Sequence, residues 1–582
     1  LHTGDKNVAL RRALINCARG DAPADLVLKN ARVVHVFSGD TDTCDVAILG
    51  DRIAGLGSYR GRREIDIRGR FLCPGFIEGH IHIESSMLTP RRFAEAVLPR
   101  GTTTVIADPH EIANVLGMEG IRFMLSDGET TPLEILAMAP SCVPATHLES
   151  AGAALEADDL ARLLKEPSVP GLAEMMNFPG TVAAQDDVLA KLQVFLAAHR
   201  PVDGHAPGLS GAGLQAYCAA GISSDHECTT LAEAREKLRA GMYIYIREGS
   251  TARNLEALLP LVTPYTARRC LLVSDDLHAD DILTEGHLDR ILRRAVSLGL
   301  DPVMALQMVT INPARRFGLA WQGAVAPGYR ADLVVLEDLQ DFQVQRVFKD
   351  GRQVAAHGRP EPAGSGPADG RDQAPVLHSS LHIDWSRVNL RVAARAGRIR
   401  VIRSIEHQIV TGQLFLDPTV ADGEVVADPG RDLLKIAVIE RHHASGRTGV
   451  GFIRGFGLDR GALASTVAHD SHNLIVVGAT DRAMLRAARE LDRMGGGLAV
   501  CDNDRTLATL PLPVAGLMTD IPADEVRRRL AAIRSAAAAL GCSPDNPFML
   551  LSFQALPVIP ELKITDRGLV DVTRFAHVSL WY

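Results

Sequence analysis

Between residues 74 and 320, eight short apolar runs alternate with helical stretches. The runs are GFIEGHIH from Gly75, TTTVIAD from Thr102, ILAMAPS from Ile135, GLAEMM from Gly171, PVDGHA from Pro201, GISSDH from Gly221, MYIYIREG from Met242 and CLLVSDD from Cys270. Runs this short and this apolar read as strands buried on both faces, the pattern of parallel strands covered by helices. Eight of them predict a closed (β/α)8 barrel, which takes about 250 residues, with a doubly wound open sheet as the rival arrangement. In a barrel, chemistry gathers at the carboxyl ends of the strands.

The flanks of this region share a texture. ADLVLKNARVVHVFSG from Ala24 and DVAILGDRIAGLG from Asp45 are β-rich and punctuated by Asn, Gly and Asp; GAVAPGYRADLVVLED and VQRVFKDGRQVAAHG, from Gly323 and Val344, repeat the pattern. A small antiparallel β domain assembled from residues 1–73 and 321–360, with the 74–320 barrel inserted, is expected. Residues 358–378 are rich in Pro, Gly and small side chains and read as a linker. Beyond them, 375–582 mixes strands such as HNLIVVGA with helices such as DRAMLRAARELDRM, an α/β or α+β domain that could cover the barrel mouth. The fold class is therefore α/β: a TIM-like barrel, a flanking β domain and a C-terminal domain.

Composition narrows the functional classes. Hydrophobic residues at 46% and charged residues at 23% fit a globular chain. Lys plus Arg number 62 against 70 Asp plus Glu, and a net charge of -8 argues against a nucleic-acid partner. Nine cysteines without a CxxC pair suit a reducing compartment. No run approaches the length of a membrane span and the first residues lack a signal-peptide core, so a cytoplasmic location without membrane contact is expected. The Gly-rich GFIRGFGLDRG from Gly451 lacks the phosphate-loop pattern, and no nucleotide cofactor is expected.

His80 and His82 are two apart on the first predicted strand, so both imidazoles face one side and can reach one ion. His205, His226, Glu174 and Asp275 fall at the ends of the fifth, sixth, fourth and eighth runs. Asp276 competes with Asp275, and Asp225 and Glu227 flank His226; strand direction decides which enters the mouth. Four histidines and two carboxylates exceed what one tetrahedral ion needs and suit two ions bridged by Glu174 and a hydroxide. Such a centre points to hydrolysis of a C–N bond.

This arrangement resembles the amidohydrolase superfamily. Within it, PGFIEGHIHIESSM from Pro74, ADPHEIANVLG from Ala107, AEMMNFPG from Ala173, DGHAPG from Asp203, SSDHE from Ser223, IREGS from Ile246, AHDSHN from Ala468, GGG from Gly495 and LSFQALPVIPELKITDRGL from Leu551 are similar to bacterial adenine deaminases over nearly the whole chain. The resemblance implies metal binding by His80, His82, Glu174, His205, His226 and Asp275, with Mn²⁺ or Fe²⁺ ahead of Zn²⁺. Glu174 stands where many superfamily members place a carboxylated lysine. The implied reaction is hydrolysis of free adenine to hypoxanthine and ammonia in purine salvage, with adenine favoured over adenosine.

Under that resemblance Asp275 shuttles the proton of the attacking hydroxide to the leaving amine, and Glu84, Glu111 and Asp108 are the candidates for protonating N1, unranked by the sequence. His110, Met175, His469 and His472 are candidates for the substrate pocket, and Met176 shares with Met175 a barrel-end position from which it could line an apolar purine slot. Two alternatives stand beside it: an amidohydrolase acting on another cyclic amidine or amide, and a non-catalytic metal-dependent binding protein. A homo-oligomer, by general expectation a dimer, is the expected assembly.

Overall fold

The computed structural model describes residues 3–361, 380–405 and 408–582. Most of the linker expected over 358–378, and the first residues of the expected 375–582 domain, lie outside the described residues.

After a helix, Thr3–Ala18, five strands follow: β1 (Ala24–Val34), β2 (Thr41–Leu49), β3 (Arg52–Gly57), β4 (Gly61–Asp66) and β5 (Phe71–Pro74). The barrel strands are β6 (Phe76–Ile81), β7 (Thr102–Ala107), β8 (Glu134–Ala137), β9 (Leu172–Met175), β10 (Val202–Gly204), β11 (Ser224–Asp225), β12 (Tyr243–Arg247) and β13 (Cys270–Val273). The chain then returns through β14 (Leu333–Leu336), β15 (Val344–Lys349), β16 (Arg352–Ala356) and β17 (Arg359–Pro360). Strand β14 pairs with β5, so segments from both sides of the barrel complete one sheet ordered β17-β16-β15-β14-β5-β1-β2-β3. That sheet is mixed rather than wholly antiparallel, because β1 runs parallel to both β4 and β5.

Each of the eight apolar runs forms a strand, and every residue of β6 and β7 is buried, as strands covered on both faces require. Parallel pairing joins β6 to β7 to β8, β9 to β10, and β11 to β12 to β13. Single links close the remaining gaps. Ala139 bridges Leu172, the Ser223 N–H donates to the Val202 carbonyl at 3.2 Å, and Ile81 bridges Asp275. The last link seals β13 against β6 and makes the ring a barrel rather than an open sheet.

The barrel interior is packed. Ile106, Met138, Ala173, Tyr245, Leu271 and Val273 fill it, with Phe317 beneath. Arg316 enters from the helix Ile311–Arg316 and donates to Asp203 Oδ1 at 2.7 Å and Tyr245 OH at 2.9 Å. Polar groups at this end are thus consumed structurally, and the carboxyl ends of the strands are left for ligation.

The C-terminal region holds β18 (Ile399–Arg403), β19 (Gly412–Leu416), a hairpin of β20 (Thr419–Ala421) and β21 (Glu424–Val426), β22 (Leu434–Ile439), β23 (Thr448–Arg454), β24 (Ala462–Ser465), β25 (Leu474–Gly478), β26 (Gly497–Cys501) and β27 (Thr506–Pro511). Eight of these form one sheet, ordered β19-β18-β23-β22-β25-β24-β26-β27. The helix Asp481–Met494 covers one face, through Met484, Ala487 and Leu491 against Ala437 and Val476. The other face shares the largest apolar cluster of the molecule with the barrel: Ile436, Leu463 and Ile475 belong to the same core as Ile81, Leu88, Phe93 and Val105. Among the described residues, no helix is long and apolar enough to cross a membrane.

Candidate metal centre

Strand alternation and the β6–β13 seam bring the ligand-type side chains to one point. The Glu78 carboxylate, buried between these strands, accepts from the His80 N–H at 3.1 Å and the Ser274 N–H at 3.1 Å, which locks the register at the barrel mouth. His82 lies just past β6, and its Nδ1 is 3.0 Å from the Asp108 carbonyl. A carbonyl only accepts, so Nδ1 carries the hydrogen and Nε2 faces the site. That Nε2 is 3.3 Å from Glu174 Oε1 and 3.3 Å from Asp275 Oδ1. Three lone-pair atoms turned on one another, all buried, leave a space suited to a cation or a proton.

Glu174 divides its two oxygens. Oε1 faces His82 Nε2 at 3.3 Å and His110 Nδ1 at 3.5 Å, whereas Oε2 faces His205 Nδ1 at 2.7 Å and His226 Nε2 at 3.1 Å. The His80 and His226 rings stack at 4.2 Å, and His80 Nε2 is 3.4 Å from Asp275 Oδ1 with no hydrogen-bond partner. Within this mouth the groups His80–His82–Asp275, His80–Glu174–His226, His82–Asp108–His110–Glu174 and His205–His226–Glu227 each place ligand atoms close enough to share an ion. The donor set therefore fits one or more divalent ions: buried imidazoles, carboxylates and the orphaned His80 Nε2. Burial alone raises a carboxyl, yet the imidazoles of His226 and His205 outweigh it and hold Glu174 well below the usual range.

Asp275 rather than Asp276 enters the mouth. Asp275 sits just beyond β13 with a left-handed φ of 59°, which swings its side chain inward. Asp276 is turned away, its Oδ1 accepting from Ser85 Oγ at 2.5 Å. Beside His226, Asp225 is spent on the buried Lys237 Nζ at 3.0 Å, whereas Glu227 stays at the site, 3.4 Å from His226 Nε2.

Around the centre, Glu84 accepts from the Ile112 N–H at 3.2 Å with Oε1, and its Oε2 is buried without a partner. Burial, with Glu111 nearby, pushes this carboxyl up to about 7. Both oxygens of Glu111 are engaged across the domain boundary, Oε1 by His469 Nδ1 at 2.6 Å and Oε2 by His472 Nε2. His110 is 3.1 Å from Asp108 and 3.5 Å from Glu174, so it joins the ligand group. Met175, expected in the pocket, points the other way: its Sδ packs 3.8 Å from Cys142 Sγ. Alternation along β9 turns Glu174 and Met175 to opposite faces, and it is Met176 that lines the adjoining cavity.

That cavity, of about 590 Å³, opens between Met176, Phe178, Glu227 and Arg247 of the barrel and Ile409, Val558 and Phe575 of the C-terminal region. Its inner wall is the Glu227–Arg247 pair, which touches the ligand cluster through His226 and Asp275.

Comparison with known proteins agrees with this architecture. Residues 71–354 match the amidohydrolase family, and residues 408–576 match the adenine deaminase C-terminal domain. The chain is 50% identical over 568 residues to the adenine deaminase of Desulfatibacillum aliphaticivorans, covering 98% of this chain and 99% of that one. It is 49% identical over 569 residues to adenine deaminase 2 of Carboxydothermus hydrogenoformans, at 97% and 99% coverage. A relative from Methanothrix thermoacetophila, also an adenine deaminase, is 48% identical at 98% and 99% coverage. This chain belongs to the adenine deaminase family of the amidohydrolase superfamily.

Two residues of this family member's mouth, Glu227 and Arg247, lie within the similar segments SSDHE and IREGS, which assign neither of them a role. Glu227 looks like a mere neighbour of His226, and Arg247 is one charge in a β-rich run; only their meeting in space shows a shared role. A signal was present in the sequence: an arginine inside an otherwise apolar strand needs a buried acid to neutralise it.

Proposed function

We propose that this chain hydrolyses free adenine to hypoxanthine and ammonia at a centre of two divalent ions, Mn²⁺ or Fe²⁺. The observation that carries the two-ion reading is Glu174, whose separate oxygens face His82 and His110 on one side and His205 and His226 on the other. His80, His82 and Asp275 would hold one ion and His205 and His226 the other, with Glu174 between them. Bound there, divalent ions acidify water to a nucleophile usable at neutral pH and offset the charge that develops on the purine.

The protein's own groups supply the rest. Asp275 Oδ1, turned to the ligand cluster, takes the proton of the attacking water and delivers it to the departing amino group. For N1, Glu84 is the better-placed carboxyl, because its Oε2 has no hydrogen-bond partner whereas both Glu111 oxygens are engaged by His469 and His472. The cavity beside Glu227, walled by Met176, Phe178, Ile409 and Val558, offers apolar faces for a purine, and the C-terminal residues around it keep bulk water from the reacting carbon.

The test is ammonia release from adenine by protein whose metal content has been counted, with adenosine run beside it. Turnover of adenine alone at about two ions per chain is the expected result. Fully loaded protein that leaves adenine untouched overturns the substrate.

A further inference from the structure

Arg247 ends β12 and is 4% exposed, with nearly every donor committed. Its Nε donates to Asn254 Oδ1 at 3.0 Å, and Nη2 donates to Glu227 Oε2 at 2.9 Å. Nη1 donates both to Glu227 Oε1 and, at 3.1 Å, to Asp275 Oδ2. The two-pronged contact with Glu227 holds the guanidinium plane in one orientation, which a lysine, as a flexible point charge, could not reproduce.

Asp275 receives this contact in a particular way. Its backbone is already held, since its N–H donates to the His80 carbonyl at 3.1 Å and its carbonyl accepts from the His82 N–H at 3.4 Å. Side-chain rotation is the freedom that is left. Oδ2 goes to Arg247, and Oδ1 goes to His80 and His82 at 3.4 and 3.3 Å. We propose that Arg247, braced by Glu227 and Asn254, is the positioning residue of Asp275: by occupying Oδ2 it keeps Oδ1 turned to the cation site.

The assignment rests on the hydrolytic reading above, but half of its test does not depend on turnover. In Arg247→Lys the charge is kept and the fork is lost. Chelator competition on the Mn²⁺-loaded variant should show metal held about tenfold more weakly than in the parent, the scale on which groups behind a metal ligand act. With adenine, kcat should fall by about 10- to 100-fold while KM stays within about threefold, because a misdirected base harms the reaction rather than binding. Metal affinity and kcat both within twofold of the parent overturn the proposal. So does a rise in KM at unchanged kcat, which makes Arg247 a contact of the purine in the adjoining cavity. If Arg247→Lys does not fold, Asn254→Ala, at a residue that also borders the cavity, removes the Nε brace and carries the same two readouts at about threefold, the metal-affinity arm being independent of the cavity; no change in either overturns the role. Parent protein that binds two ions without turning over adenine refutes the substrate and leaves the metal-affinity arm to decide on Arg247.

Discussion

Glu111 of the barrel and His469 of the C-terminal region, 358 residues apart in the chain, meet with Oε1 2.6 Å from Nδ1. His472 closes on the other oxygen of the same carboxylate, and its Nδ1 accepts from the Ala468 N–H at 3.1 Å, so its Nε2 must carry the hydrogen it donates. One buried carboxylate thus fastens the barrel mouth to the loop above it.

The two histidines give this contact a pH window. Burial opposes charge on both, but Glu111 outweighs it at His469 and pushes that group up to about 9, whereas His472 is pushed down to about 4. An unfolded histidine titrates near 6.5. As pH rises from about 6.5 through about 9, the unfolded chain has released the His469 proton that the folded one still holds, and stability falls. As pH drops from about 6.5 toward about 4, the unfolded chain protonates His472 while the folded one resists, and stability falls again. Thermal unfolding against pH should peak near neutrality, and His469→Gln should flatten the alkaline side.

Glu174→Gln removes an anionic oxygen from both sides of the proposed pair of ions. Bound metal should drop to one ion or fewer per chain, and ammonia release should fall by more than about 100-fold, beyond what groups behind the ligands cost. Elemental analysis beside the adenine assay reads both. Two ions retained in the variant would contradict the bridging role.

At the closed end of the barrel, Arg316 and Asp203 have side chains 6% and 2% exposed and pair at 2.7 Å. Arg316→Met strands the Asp203 charge among buried groups, a loss of about 3–5 kcal/mol. Urea unfolding should show it. The double variant with Asp203→Leu should recover part of the loss, since no charge is then left unpaired.

Expression of residues 1–361 alone should yield aggregated protein. The barrel surface around Ile81, Leu88 and Phe93 belongs to the same apolar cluster as Leu463 and Ile475 of the C-terminal sheet. A monodisperse, cooperatively unfolding fragment in sedimentation and calorimetry would contradict that shared core.

Local pattern carried much of this protein. The eight barrel strands are legible because strands buried on both faces must be short and apolar, and the His80–His82 spacing is legible because alternate residues on a strand share a face. That period stops short of separating Met175, packed against Cys142, from Met176, which lines the cavity, because Met176 lies past the end of β9, where its N–H turns back to the Glu174 carbonyl at 3.1 Å.

Closure of the barrel and the choice of partners lay beyond that pattern. Whether Asp275 or Asp276 turns inward depends on one left-handed residue at the β6–β13 seam. That Arg247 reaches Asp275, and that Glu111 is met by His469 and His472, depends on contacts between segments far apart in the chain. Sequence determined which residues could ligate and which strands could be buried, because those follow from side-chain chemistry and a two-residue period. Tertiary structure alone decided which oxygen faces which nitrogen, because those distances are set by ring closure and by the packing of the C-terminal sheet against the barrel.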